Sequence, residues 1–222
     1  MSAFPPPVAP AGAPDLPSPT SETPAAHPAA FPSPVAPADA PDLPSPKSET
    51  PSAYPAEGPG QAELLAFVHR AAADTALVAT LPRDPEGRTW LRLDGPGGSE
   101  AWLIGWPPGT GTGWHDHGGS YGAFATAEGS LREDALAHRL PAEGKTGTIL
   151  ELPEGVDRTR ELSPNQGRAF GPHHVHQVLN TADHTHAVSV HAYYPPLPLM
   201  RRYSRSGQAL RLEQIERPED WQ

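Results

Sequence analysis

The sequence predicts a mainly β protein, a jelly-roll barrel with one or two helices in front of it. Three observations carry that expectation. After Pro82 the chain breaks into short runs rich in Val, Ile, Trp, Tyr, Phe and Thr, the residues that fit a pleated, half-buried surface. Gly, Pro, Asn and Asp separate these runs at intervals of roughly ten residues, the rhythm of sandwiches and small barrels. Finally, histidines recur two apart on such runs, at His115 and His117 and again at His174 and His176. Side chains two apart on a strand share a face.

Residues 1–58 form a separate region, holding 17 of the 31 prolines. "AFPPPVAPAGAPDLPSPTSETPAAHPA" begins at Ala3, and "AFPSPVAPADAPDLPSPKSETPSAYPA" begins at Ala30. The period is 27 residues, and 22 of the 27 pairs are identical. A solenoid needs more to bury than the one Phe, one Val and one Leu of each copy. Closely spaced prolines remove donors and exclude helix and central strand. The region reads as an extended, disordered, polyproline-leaning arm, more a duplicated spacer than a ligand for an aromatic groove.

Composition changes at "GPGQAELL". Leu64, Phe67, Val68 and Ala71 follow helical spacing, so a helix is expected over 61–73. "DTALVATL" suits a short second helix, with Asp74 as N-cap and Pro82 beyond its end. The folded domain is expected to run over 59–222. The strand candidates are "TWLRL", "EAWLIGW", "SYGAFATA", "SLREDAL", "GTILEL", "TRELS", "GRAFG", "HHVHQVLN" and "HAVSVHAYY". "AEGS" between the third and fourth reads as a hairpin turn.

The formal net charge of -10 argues against nucleic acid or an anionic membrane surface as partner. With no cysteine, disulfides, Cys-ligated zinc and a cysteine nucleophile are excluded. The start lacks the basic and apolar regions of a secretory signal, and no apolar run approaches a bilayer span. The expectation is a cytoplasmic protein, acting as a monomer, without membrane association.

In "GWHDHGGSYGAF", His115 and His117 reach one face while Asp116 points to the other. Two imidazoles so placed can share a metal. The third ligand is sought in "FGPHHVHQVLN", where His174 and His176 share a face. Three neutral histidines leave a divalent ion its full charge, which suits an anionic incoming ligand. The set resembles the two-His-one-carboxylate triad of non-haem Fe(II) oxygenases with the carboxylate replaced. This chemistry leaves Fe(II), Zn, Ni and Cu(II) open. Ser189, His191 and Tyr193 then line one strand face, polar groups that need mutual hydrogen bonds when buried.

"WHDHGGSYGAFATAEGSL", "HHVHQVLN" and "SVHAYYPPL" together resemble the cysteine dioxygenase family of the cupin superfamily, in its bacterial form, from about Trp90 to Pro196. The resemblance implies a cupin barrel and Fe(II) held by His115, His117 and His176, with His174 a neighbour. It implies an outer-sphere network of Ser189, His191 and Tyr193. It implies an arginine for the substrate carboxylate, for which Arg92 in "TWLRL" is the best match and Arg88 the competitor. Some members cross-link a cysteine to the tyrosine; the corresponding residue is Gly122, so that bond cannot form. The implied reaction adds O2 to the sulfur of a small thiol, L-cysteine first. The alternatives are a dioxygenase for 3-mercaptopropionate or a larger thiol, and a metal-binding cupin without catalysis.

Overall fold

The structure is a computed structural model that describes residues 58–136, 146–152 and 157–221. The chain divides into residues 1–49 and 50–222, and every described residue belongs to the second unit. The proline-rich arm, apart from Gly58, lies outside the described residues.

Helix α1 (Gln61–Ala73) buries Leu64, Val68 and Ala72, spaced four apart. Its C-terminal neighbour Asp74 starts α2 (Thr75–Ala79), accepting from the Ala76 and Leu77 amides at 3.1 and 3.0 Å. That cap satisfies two amides that have no partner within the helix.

The strands are β1 (Thr89–Asp94), β2 (Glu100–Trp106), β3 (Trp114–His115), β4 (Tyr121–Glu128), β5 (Leu131–Leu136), β6 (Ile149–Glu151), β7 (Asp157–Leu162), β8 (Gly167–Phe170), β9 (His176–Leu179), β10 (Ala187–Tyr194), β11 (Met200–Ser206) and β12 (Ala209–Glu216). They form two antiparallel sheets, ordered β1-β2-β10-β4-β8 and β6-β12-β11-β3-β9-β5-β7.

Strand β10 is buried along its whole length because the five-stranded sheet is covered on both faces. Val188, Val190 and Ala192 pack with Ala101, Leu103, Ala123 and Ala125 against α1. The small alanines let the helix approach, and burying Leu64 and Val68 there contributes about 1.5–3 kcal/mol each. The alternate residues Ser189, His191 and Tyr193 face the other way. There Trp106, Phe124, Leu131, Leu162, Phe170 and Val178 form the inner core. Polar side chains on an apolar inner wall are the first sign of the site.

The structure departs from the sequence reading in three places. "AEGS" is no hairpin: β4 pairs with β10 and β8, while β5 pairs with β7 and β9. The turn hands the chain from one sheet to the other, through Gly129 at φ +65°. The β3 strand ends at His115, so only one histidine of the first pair lies in regular strand. The β11–β12 hairpin was not foreseen. Its "MRRYSRS" and "ALRLEQIE" carry too many Arg, Ser, Gln and Glu to read as strands.

Candidate metal centre

His115 on β3 stands directly opposite His176 on β9. Cross-strand partners project to the same face, so the two imidazoles meet inside the barrel with ring centroids 4.8 Å apart. His117 joins them, at 5.0 Å from His115 and 5.1 Å from His176. One nitrogen from each ring lies within 4.8 Å of the others, and all three rings are buried. Asp116 is turned away and fully engaged. It accepts from Arg201 Nη1 at 3.1 and 3.3 Å, Tyr203 Oη at 2.7 Å and the Gly118 amide at 3.0 Å. Pinning the middle residue fixes the histidines on either side. Gly118 and Gly119, at φ +62° and +103°, then turn the chain out of the site.

Hydrogen bonds settle which nitrogens are free. His115 Nδ1–H donates to the Gly113 carbonyl at 3.0 Å, and His176 Nδ1–H donates to Glu133 Oε1 at 2.8 Å. Each therefore keeps the Nε2 lone pair. Both nitrogens of His117 lack any partner although the ring is 1% exposed. Leaving a buried polar group unpaired costs about 1–3 kcal/mol, which coordination of a cation would recover. Burial, then the neighbouring imidazoles, hold His115 and His117 well below the usual histidine range. They are neutral at pH 7, the form a metal requires. The residues fit a metal ion.

Glu133, on β5, is 0% exposed. Its Oε1 accepts from His176 and from His174 Nε2 at 3.0 Å, and its Oε2 from Arg168 at 2.6 Å and Arg160 at 3.5 Å. Burial alone would raise its pKa, but hydrogen bonds from His174 and His176 and the Arg168 charge hold it well below the carboxylate range. Burial also lowers His174, to about 4. His174 lies outside the three-imidazole cluster, in a second group with Glu133 and His176.

On β10 the polar residues form a line. Trp106 Nε1–H donates to Ser189 Oγ at 2.8 Å, Ser189 Oγ lies 2.8 Å from His191 Nε2, and His191 Nδ1 lies 3.2 Å from Tyr193 Oη. An indole N–H only donates. The Ser189 oxygen keeps a second lone pair and its own hydrogen, so the direction along the line follows the His191 tautomer. With Nδ1 protonated, Ser189 donates to Nε2, Nδ1–H donates to Tyr193 Oη, and the tyrosine hydrogen is left for a further acceptor. The Tyr193 ring stacks on His117 at 5.2 Å, so this line ends against the cluster. Burial lowers His191 to about 3 and raises Tyr193, keeping both neutral. Gly122 lies beside it: a Cβ there would fall 2.9 Å from Tyr193 Cδ1 and 2.7 Å from Phe170 Cζ.

Arg92 and Arg88 stand in different surroundings. Arg92 is exposed on the edge strand β1, its guanidinium 5.6 Å from the Trp102 ring centroid. Trp102 pairs with both Arg92 and His191, so a whole strand separates Arg92 from the Ser189–His191–Tyr193 line. Arg88 is half-buried, 5.4 Å from the Trp106 ring that starts that line. Its charge bears on His115, His191 and Tyr193, and burial lowers its own pKa. Arg202, opposite His115, is engaged by Glu216 and the Thr112 carbonyl. The structure thus brings together His115, His117, His176, Ser189, His191 and Tyr193, and leaves Arg92 outside. Sequence reasoning missed Glu133 and Trp106. The signal for Glu133 was available: it alternates with Leu131 and Ala135 in "SLREDAL", a carboxylate on a core face.

The model of the cysteine dioxygenase type I family matches residues 47–206. The chain belongs to that family. Membership in the cysteine dioxygenase type I family makes the two-sheet barrel a cupin and its imidazole cluster the candidate metal site of a dioxygenase. Among solved structures, oxalate oxidase with the substrate analogue glycolate is similar at TM-score 0.37 and 19% identity, over 50% of this chain and 52% of that one. This chain thus spans about half the length of that oxalate oxidase. Oxalate decarboxylase from Bacillus subtilis gives TM-score 0.38 and 17% identity, over 50% and 26% of the chains. A Klebsiella pneumoniae protein with a double-stranded β-helix domain gives 0.39 and 14%, over 53% and 81%. No curated protein matches. No described helix is long and apolar enough to cross a membrane.

Proposed function

We propose that the protein is an iron-dependent thiol dioxygenase that converts L-cysteine to cysteine sulfinate. The observation that carries the reading is the convergence of His115, His117 and His176, with both His117 nitrogens buried and unpartnered. These three residues would hold Fe(II). Bound there, the iron supplies the O2 chemistry and the Lewis acidity that keeps a thiol deprotonated at neutral pH. The net reaction is balanced without a further reductant: the thiol sulfur is oxidised, and both oxygen atoms of O2 end in the sulfinate.

The chain's own residues place the substrate and control protons. Arg88 takes the role first expected of Arg92, binding the substrate carboxylate through charge-assisted hydrogen bonds. Its half-buried position and its charge on the site support that assignment. The Trp106–Ser189–His191 line fixes the Tyr193 ring and orients its hydroxyl hydrogen toward the reacting atoms, so that no reorganisation is needed during the reaction. Phe124, Phe170, Leu131 and Val178 exclude water around the imidazoles, which strengthens each polar contact inside. Neutral His115 and His117 give the site a positive balance once a divalent ion is present, matched to an anionic thiol carboxylate.

The test is O2 consumption and sulfinate formation by Fe(II)-loaded protein with L-cysteine, 3-mercaptopropionate and cysteamine. The reading expects sulfinate from cysteine and little from cysteamine, which lacks the carboxylate. Preference for 3-mercaptopropionate would move the substrate but keep the reaction. Metal binding without sulfinate from any thiol would overturn it.

A further inference from the structure

A centre of three neutral imidazoles brings no negative charge to a divalent cation. The carboxylate hydrogen-bonded to one of the three rings is Glu133, whose Oε1 accepts from His176 Nδ1 at 2.8 Å. Its two oxygens divide their partners. Oε2 is held by the guanidiniums of Arg168 and Arg160, and Oε1 is left to His176 and His174. A fully buried carboxylate with two arginines on one oxygen is an ionised acceptor. Both imidazoles must therefore donate to the other oxygen. For His176 this fixes the proton on Nδ1 and turns the Nε2 lone pair toward His115 and His117.

We propose that Glu133 is a positioning residue of the metal centre, holding His176 by its Nδ1–H and supplying through that ring the negative charge that the three ligands lack. The proposal rests on the metal-binding reading above. A carboxylate behind a ligating imidazole raises its basicity and locks its orientation. The same bond explains why His174 is a neighbour: its Nε2–H is spent on Glu133, and its ring stacks on Phe170 at 4.9 Å. The second group, Glu133 with His174 and His176, also has ligand atoms close enough for a cation. A cation there would have to displace the ring protons of both histidines and compete with Arg168 at 2.6 Å. Glu133 therefore acts as hydrogen-bond acceptor, and the described residues offer one metal site.

The experiment is a titration of metal-free protein with Co(II), whose visible absorption reports ligand set and geometry, on wild type, Glu133→Gln and His176→Ala. Wild type is expected to bind one Co(II), His176→Ala to lose most binding, and Glu133→Gln to bind about 10- to 100-fold more weakly with an altered absorption band. If wild type and His176→Ala bind Co(II) alike, the metal reading itself fails. If His176→Ala loses the ion while Glu133→Gln keeps wild-type affinity and absorption, only the Glu133 proposal fails, even where the melting temperature falls. Two Co(II) ions per wild-type chain would also overturn it. Should Glu133→Gln not fold, ring-nitrogen NMR on the wild type decides: the proposal requires the His176 proton on Nδ1, and a proton on Nε2 refutes it.

Discussion

Replacing Arg88 with alanine tests how the site recognises its substrate. Its guanidinium is half-buried beside Trp106, where a carboxylate contact is shielded from water. Each charge-assisted hydrogen bond there contributes roughly 1.5–3 kcal/mol net. Loss of two, discounted for partial solvent access, comes to about 3 kcal/mol, or about 10²-fold in kcat/KM. Arg92 is exposed, and an exposed substitution at such a site changes energies by about 0.5 kcal/mol or less. Sulfinate production from cysteine should therefore fall about 10²-fold in Arg88→Ala and stay within about 2-fold in Arg92→Ala. Arg88→Lys should fall between, because an ammonium lacks the planar fork. Cysteamine, without a carboxylate, should be an equally poor substrate for wild type and Arg88→Ala, which separates the lost contact from general damage. If Arg92→Ala abolishes the preference for cysteine while Arg88→Ala preserves it, the assignment is wrong.

Other perturbations bear on the remaining parts of the site. His115→Ala, His117→Ala and His176→Ala should each remove most bound iron, whereas His174→Ala should retain it; metal analysis of the purified variants decides. Tyr193→Phe should keep the iron and lower turnover by about 10²–10³-fold, the range for loss of a preorganised donor, and an unchanged rate would reduce the β10 line to packing. Gly122→Ala should lower stability by about 1–3 kcal/mol in denaturant unfolding, since its Cβ would meet Phe170, Ala192 and Tyr193 within 2.9 Å. Removing residues 1–46, outside the family match, should leave turnover and melting temperature at the full chain's values.

Much of this fold is readable where one face of an element meets one environment. The four-residue spacing of Leu64, Val68 and Ala72 marks α1, and Asp74 marks the start of α2. Strand β10 was readable because Ser189, His191 and Tyr193 alternate with Val188, Val190 and Ala192, although both sets are buried. The β11–β12 hairpin was hidden because its apolar alternation is confined to Leu210 and Leu212, two apart on the inward face, and the residues around them are Arg, Glu and Gln. The "AEGS" turn shows a different limit: local turn chemistry is the same whether the next strand pairs with the last or crosses to the other sheet. The pairs at His115/His117 and His174/His176 were visible by spacing. Which member of the second pair joins the cluster depends on the register that sets His176 opposite His115, a long-range fact. The same holds for the arginines. Arg92 lies in the more strand-like context, yet the β1–β2–β10 register places a whole strand between it and the β10 line.

The central claim is that the three-histidine centre catalyses transfer of both atoms of O2 to a thiol sulfur. The most direct measurement is mass spectrometry of the product formed by Fe(II)-loaded protein from L-cysteine under isotopically labelled O2, with His117→Ala as the control. The account predicts cysteine sulfinate carrying the label in both oxygens from the wild type and none from His117→Ala. Cystine as the sole product, or a sulfinate whose oxygen comes from water, would contradict it.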